Sequence, residues 1–459
     1  MFNDKINKIH FVGIGGIGMS GMAELLFKDG YSISGSDLVE NDRTNHLRKI
    51  GVNISLNHSE KNIENSNLIV YSSAVKIDNI EILAAKKNNI PVIKRAEMLS
   101  ELVSIKKTSI GIAGTHGKTT TCSMVGNILH ESNQDPTIII GGIVKNFETN
   151  NISGNGDIIV VEADEYDKSL LSLKPTVAVI NNIEEEHLDC YSDIHELKKS
   201  FVKFINNIPF YGFVLINADD YNIREIIPKI KRPMITFSLE GNGDYNAQNI
   251  SFDENKTFFD FFYKQEKISN ITLSVPGYHN VYNALSSIAI CRELNIPIKT
   301  ITKSLLQFKG VRRRFDIKYN KNKKIYIDDY AHHPTEVKVT IEAARMGWPD
   351  KQIISIFQPH LFSRTKVFYK EFAKALSKSD KIILLEIYGA REKSIDGVTS
   401  NLILDELKNH SESTKILTTK DKVIETLREI YNGDELILTM GAGNLFMESD
   451  NIISFLENE

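Results

Sequence analysis

Twice in this chain an apolar strand runs into a glycine-rich turn and then into a helix, and this unit limits the possible folds more than any other feature. The first instance is HFVGIGGIGMSG, residues 10–21, with the spacing Gly13-x-Gly15-x-x-Gly18. The second is SIGIAGTHGKTTT, residues 109–121. A strand that hands the chain through a tight turn to a helix N-terminus is half of a βαβ unit, and strands joined through helices pair in parallel. The expectation is therefore an α/β protein.

Further strand patterns follow each instance. After the first, the helix GMAELLFKDG is stopped by Gly30, SISGSD forms a second strand ending at Asp37, and NLIVYSSAV and IPVIKRAEML read as strand-to-loop units. After the second, DIIVVEADE, TVAVINNI and GFVLINADD read as buried strands. PGYHNVYNALSSIAICREL is a loop feeding a helix, with Val281, Ala284, Leu285, Ile288 and Ala289 at helical spacing. The polar, basic KGVRRRFD, residues 309–316, reads as a linker, and KYNKNKKIY, residues 318–326, as a solvated hairpin. A third β/α region runs through KIYIDDYAHHP, QIISIFQP, KIILLEIYG and ELILTMGAGN. The organisation predicted is three domains in series: a Rossmann-like domain over 1–106, a P-loop domain over 107–310 and a dinucleotide-fold domain over 311–459.

Composition excludes several function classes. The 459 residues carry 55 basic and 59 acidic side chains, a net charge of −4, so nothing points to nucleic acid or an anionic membrane surface. No apolar run approaches the ~18 residues of a membrane span. The start MFNDKINKIHFVGIGG has neither an uninterrupted apolar stretch nor a small-residue cleavage site, so a cytoplasmic location is expected. Cys122, Cys190 and Cys291 are too scattered for a disulfide framework or a C-x-x-C metal cluster.

The glycine turns point to phosphate esters, because a helix N-terminus offers unpaired N–H groups and a positive dipole end. Asp37 lies 19 residues beyond Gly18, where a ribose-binding acid belongs. Pyrophosphate and ribose occur in NAD and equally in a UDP-sugar, so the first turn leaves the nucleotide open. In the second, Lys118 suits the terminal phosphates of a nucleotide and Thr119 suits Mg²⁺. Ile112 stands where the usual P-loop has its first glycine, so the motif is shortened. Glu162 and Asp164 end one strand and His187 ends another, downstream of that loop. Carboxylates are natural Mg²⁺ partners, whereas a histidine ligand is unusual. His279, Asn280 and Asn283 either read an adenine edge or cap the following helix. Arg312, Arg313 and Arg314 are either a charged linker or a phosphate clamp. DDYAHHP, residues 328–334, is dense in acids, tyrosine and histidines for a structural loop, and Arg364, after His360, suits a substrate carboxylate.

Taken together, GIGGIGMSG, AGTHGKTTT, EADE, NNIEEEHLD, YHNVYNA, RRRFD, DDYAHHPTEV, FQPHLFSRT and MGAGN, in this order from residue 13 to 444, closely resemble the Mur ligase family in its alanine-adding branch. The resemblance covers nearly the whole chain, and the shortened GTHGKT loop is similar to the family's own version. It implies a UDP-substrate domain, an ATPase domain and a C-terminal domain that carries the amino acid. It also implies an ATP-dependent amide ligase of peptidoglycan precursor synthesis. ATP phosphorylates the carboxylate of UDP-N-acetylmuramate, and the amine of L-alanine displaces phosphate from the acyl phosphate. By resemblance, Gly15, Gly16, Ile17, Gly18, Asp37, Ser72 and Ser73 hold the UDP-sugar. Gly114, Thr115, His116, Gly117, Lys118, Thr119 and Thr120 hold ATP, with Asn280 and Asn283 on adenine, Arg314 on phosphate and Asp329 on ribose. Thr119, Glu162 and His187 bind Mg²⁺. Tyr330, His332 and Arg364 line the alanine end, and Lys118, Glu162, His187, Arg314 and His332 are the catalytic set. The family often has arginine after the histidine of FQPH, where this chain has Leu361. The implied partners are the two substrates, with no nucleic acid or membrane, in a monomer or weak homodimer. Three rival readings stay open: a ligase attaching a ready-made peptide to the same sugar nucleotide, an NAD oxidoreductase, and a nucleotide-binding regulator.

Overall fold

In the first sheet, five strands pair in parallel in the order Asn53–Ser55, Ser32–Ser36, Lys8–Val12, Leu68–Tyr71, Val92–Lys94. The coordinates are a computed structural model that describes residues 6–185, 190–390, 392–410 and 413–459. Phe11, Val12, Ile69 and Val70 are fully enclosed, as expected of parallel strands covered on both faces. Helix Ile17–Lys28 follows the first strand, and Gly30, at φ +91°, lies just beyond its end. IPVIKRAEML, expected as strand and loop, becomes a short strand and then the helix Arg95–Ile105.

The second sheet has a parallel core in the order Met234–Ser238, Phe213–Asn217, Val177–Ile180, Thr108–Ala113, Ile158–Glu162, Thr137–Val144. Thr149–Ile152 pairs antiparallel at one edge, which the β/α alternation did not anticipate. Packing divides the chain into two units. The first comprises residues up to Gln248, Phe261–Ser269 and Tyr282–Leu305; the second comprises Asn249–Asp260, Asn270–Val281 and Leu306–Glu459. The first two sheets share the first unit because one apolar core serves both. It runs from Phe11, Met19 and Met22 through Met98, Leu102 and Val103 to Ile139, Val161, Leu173 and Phe201.

The second unit is built on a six-stranded sheet. Its order is Asp316–Lys321, Lys324–Asp329, Leu436–Met440, Ile353–Phe357, Lys381–Leu385, Thr414–Thr418. The first pair is the hairpin expected from KYNKNKKIY, and the other pairings are parallel. Separate apolar cores cover its two faces. Among the described residues, no helix is long and apolar enough to cross a membrane.

Strand order reverses beside Lys8–Val12, beside Thr108–Ala113 and beside Leu436–Met440. At such switch points the loops leaving the strand C-termini diverge and open a crevice. The two glycine turns leave Lys8–Val12 and Thr108–Ala113, and DDYAHHP and FQPH end the strands on either side of Leu436–Met440.

Candidate active site

The turn after Lys8–Val12 is held from below. The N–H groups of Gly13 and Ile14 donate to the Ser36 carbonyl at 2.8 and 3.0 Å, and Gly15 N–H donates to Asp37 Oδ2 at 2.8 Å. Arg43 Nε donates to the Gly15 carbonyl at 3.0 Å. A β-carbon at Gly15 would lie 2.8 Å from both Asp37 Oδ2 and Asn41 Nδ2, so any side chain here displaces those two groups. Asp37 also accepts from Leu38 and Val39 N–H, so in this structure it buttresses the turn. Gly16 caps helix Ile17–Lys28 without a side-chain hydrogen bond and no acid occupies the first turn, which suits an anion. Ile17 and Gly18 form that first turn. Ser72 lies against Gly13. Ser73 lines a cavity of about 210 Å³ with Tyr71, Lys94, Arg95 and Ser169. Arg95 was not singled out from the sequence; its Nη1 would lie 3.2 Å from a β-carbon at Gly18. It also borders a small pocket with Glu162 and Asp164, which links the first turn to those carboxylates.

The second turn follows the central strand Thr108–Ala113. Gly114 and Gly117 have φ of +140° and +82°, and a β-carbon at Gly117 would come within 2.4 Å of Asn283 Oδ1. The segment after Val177–Ile180 clamps the loop. His116 N–H donates to Asn182 Oδ1 at 2.8 Å, Asn182 Nδ2 donates back to the His116 carbonyl at 3.1 Å, and Glu184 N–H donates to Thr115 Oγ1 at 2.8 Å. Lys118 opens the helix Lys118–Glu131, with Thr119 and Thr120 in its first turn. The Lys118 ammonium donates to both oxygens of Glu165, at 2.9 and 2.7 Å, and to the Gly114 carbonyl at 2.7 Å. Glu165 is fully buried, and the sequence reading passed over it.

Glu162, ending strand Ile158–Glu162, accepts from Gly141 N–H at 2.8 Å. Desolvation raises its carboxyl, while Gly141 N–H, the Thr119 hydroxyl and the Lys118 charge pull it back. A desolvated carboxylate beside a hydroxyl is a donor set for a hard divalent cation. His187, the third expected ligand, lies outside the described residues. Asn283 accepts from Thr121 Oγ1 at 3.1 Å, against the turn. Asn280 Nδ2 donates to the Pro276 carbonyl at 2.8 Å, at the entry of the helix that carries Asn283.

In the second unit, the expected linker turns back through Arg313 and Phe315, at φ +59° and +46°. Asp329 holds this bend by accepting from Phe315 N–H at 2.6 Å and Ala331 N–H at 2.7 Å. Burial pushes its carboxyl up to about 7 against the Arg314 charge and those N–H groups. The Tyr330 ring packs under the guanidinium groups of Arg313 and Arg314, at 4.9 and 5.1 Å. His332 Nδ1 lies 2.9 Å from Glu336 Oε2, and Arg314 Nη1 lies 3.5 Å from Glu336 Oε1. The His360 ring stands 6.0 Å from that of His332 and stacks on Tyr388, and Arg364 Nη1 is 3.5 Å from His360 Nδ1. Tyr330, His332, Arg314 and Arg364 thus gather in one cluster; Glu336 and Tyr388 are additions the sequence did not flag. Leu361, at φ +72°, starts the helix that carries Arg364.

Comparison with known proteins agrees along the whole length. Residues 8–107 match the Mur ligase family catalytic domain, 112–291 the Mur ligase middle domain and 313–443 the Mur ligase glutamate ligase domain. The chain is 44% identical over 459 residues to a UDP-N-acetylmuramate–L-alanine ligase of Sulfurihydrogenibium sp. (strain YO3AOP1), covering 100% of each chain. It is 45% identical over 453 residues to one of Geotalea daltonii, covering 98% of each. Among solved structures, UDP-N-acetylmuramate-alanine ligase from Thermotoga maritima superposes with a TM-score of 0.81 at 29% identity, covering 98% of this chain and 99% of that one. With three α/β sheets, two glycine turns and full-length identity above 40%, the chain belongs to the Mur ligase family.

Proposed function

We propose that this chain joins L-alanine to the muramate carboxylate of UDP-N-acetylmuramate, cleaving ATP to ADP and phosphate and giving UDP-N-acetylmuramoyl-L-alanine for peptidoglycan precursor synthesis. The observation that carries the reading is identity of 42–45%, over nearly the full chain, to proteins named for that reaction. Residues 1–106 bind the sugar nucleotide, 107–310 bind ATP and 311–459 bind the amino acid. A free carboxylate is a poor acyl donor at neutral pH, and converting it to an acyl phosphate supplies the leaving group. Positioning and charge neutralisation are what the protein contributes to phosphoryl transfer.

The first glycine turn, with Asp37, Ser72 and Ser73, takes the UDP diphosphate and ribose. The turn Gly114–Thr120 takes the ATP phosphates, with Lys118 exchanging Glu165 for phosphate oxygens. Asn280 and Asn283 face adenine, Asp329 the ribose and Arg314 phosphate. Thr119, Glu162 and His187 hold Mg²⁺, which supplies charge neutralisation at phosphoryl oxygens. Tyr330, His332 and Arg364 receive L-alanine, Arg364 pairing with its carboxylate. The reading includes a monomer or weak homodimer in the cytoplasm, where ATP is available.

The test is phosphate release from ATP and Mg²⁺, with UDP-N-acetylmuramate and L-alanine added singly and together. Release that needs both substrates, and stops on chelation of Mg²⁺, is the expected result. Release with an intact tripeptide in place of L-alanine would favour the peptide-attaching ligase. ATP binding without release under any combination would leave a regulator.

The first turn yields a second expectation. Gly15→Ala forces a methyl group into Asp37 and Asn41. It raises KM for UDP-N-acetylmuramate about tenfold, equivalent to roughly 1.4 kcal/mol, and leaves KM for ATP unchanged. Initial-rate kinetics read both, and an unchanged KM for the sugar nucleotide removes the turn from its site.

A further inference from the structure

We infer that Glu336 is the positioning residue for His332, and that the His332–Glu336 pair takes the proton that the α-ammonium of the incoming amino acid must lose. The inference rests on the functional reading above. Its observation is the way a single carboxylate oxygen grips one residue twice. Glu336 Oε2 accepts from the His332 backbone N–H at 3.0 Å and lies 2.9 Å from the same residue's ring Nδ1. The Tyr330 carbonyl lies 3.2 Å from Nδ1 as well. Two acceptors facing Nδ1 fix the hydrogen there, so in the neutral ring Nε2 presents its lone pair and is the proton acceptor.

The neighbouring histidine has the opposite arrangement. His360 Nδ1 faces Arg364 Nη1 at 3.5 Å, and arginine only donates, so His360 carries its hydrogen on Nε2. Burial and the nearby His332 and Arg364 charges lower His360 to about 4, so it stays neutral. Among the described residues, the charged groups near the pair include Arg314, 3.5 Å from Glu336 Oε1, the buried Asp329, and Glu392 on the His360 side. Glu336 also completes the cap of helix Pro334–Gly347 through His333 N–H at 3.3 Å. A cap alone does not require contact with the His332 ring.

His332 Nε2 removes one proton from the α-ammonium, and the freed nitrogen lone pair forms the bond to the acyl carbon. The acyl C–O bond to phosphate then breaks, its electron pair leaving with phosphate. The second nitrogen proton departs on that phosphate as hydrogen phosphate, and His332 returns its proton to solvent.

The test compares two nucleophiles on the intact enzyme with UDP-N-acetylmuramate, ATP and Mg²⁺: L-alanine, which arrives as an ammonium, and hydroxylamine, which is uncharged at neutral pH. Glu336→Gln is expected to lower L-alanine ligation at least about tenfold relative to hydroxamate formation. An equal loss with both nucleophiles, or no loss, overturns the inference by reducing Glu336 to a cap. The wild-type enzyme gives a second reading that needs no variant. With a base in place, kcat/KM for L-alanine reaches a plateau near neutral pH. A tenfold rise per pH unit through that range shows that only amine already free in solution reacts, and overturns the inference. Failure of the functional reading is distinct, because the wild-type enzyme then makes neither product.

Discussion

Lys118→Ala is expected to lower turnover by about a thousandfold, the cost of removing a preorganised positive charge from a transferring phosphoryl group. Binding of UDP-N-acetylmuramate, measured by calorimetry, is expected to persist. The same substitution carries a second cost. Glu165 is fully buried and both its oxygens rest on the Lys118 ammonium. Stranding a buried carboxylate costs about 3–5 kcal/mol, so the variant is also destabilised. The double variant Lys118→Ala/Glu165→Gln separates the two: it regains stability towards urea and does not regain turnover. Near-normal phosphate release by Lys118→Ala would remove the ATP site from the second turn. Recovery of turnover in the double variant would show that the lysine serves the fold and not the phosphates.

The second large effect lies beneath the first turn. Glu81 is fully buried. It accepts from Ser36 Oγ at 2.6 Å and Asn62 Nδ2 at 2.6 Å, contacts His58 Nδ1 at 3.0 Å, and lies 3.7 Å from His10 Nε2. Burial alone raises its carboxyl, but the nearby His10 ring and the hydrogen bonds from Ser36 and Asn62 outweigh this and bring it to about 2. A folded pKa below the unfolded value of 4.5 stabilises the protein above that value, and the stabilisation is lost as pH falls through about 2. The difference corresponds to roughly 3 kcal/mol at neutral pH and roughly 1 kcal/mol at pH 3. Glu81→Gln should therefore unfold at lower urea than the wild type at pH 7, with the gap narrowing by pH 3. A gap that stays constant with pH would mean that packing, and not ionisation, holds Glu81 in place. Since the Ser36 carbonyl receives the Gly13 and Ile14 N–H groups, the variant also loosens the turn above.

What the sequence made legible was local. Apolar runs of parallel-strand type, glycines at φ the other residues avoid, and helix starts such as Lys118 are written within a few positions of one another. The strands Lys8–Val12 and Thr108–Ala113, both glycine turns and the hairpin before Asp329 could therefore be read directly. What escaped were single charged residues whose partners are distant in sequence. Glu165 meets Lys118 across 47 positions and Glu81 meets Ser36 across 45. In sequence each is one acid in a polar stretch, and only strand order brings it to its partner. Asp37 shows the converse: its position at a strand end was visible, but its bond to Gly15 N–H depends on how the turn folds over it. Glu336 stands four residues beyond His332 in DDYAHHPTEV, and its double grip depends on a helix beginning between them.

The apolar core shared by the first two sheets has a thermodynamic consequence. Met98, Leu102 and Val103, from the last helix of the first sheet, are enclosed in the same cluster as Val161, Leu173 and Phe201 of the second. Ser100 Oγ donates across to the Ser172 carbonyl at 2.6 Å. Segments that share a core open together. A ligand held by the first glycine turn therefore stabilises the second by RT ln(1 + [L]/Kd), through the suppression of a common opening. Occupancy at one turn is then expected at the other as slower hydrogen exchange and proteolysis, carried by the common opening.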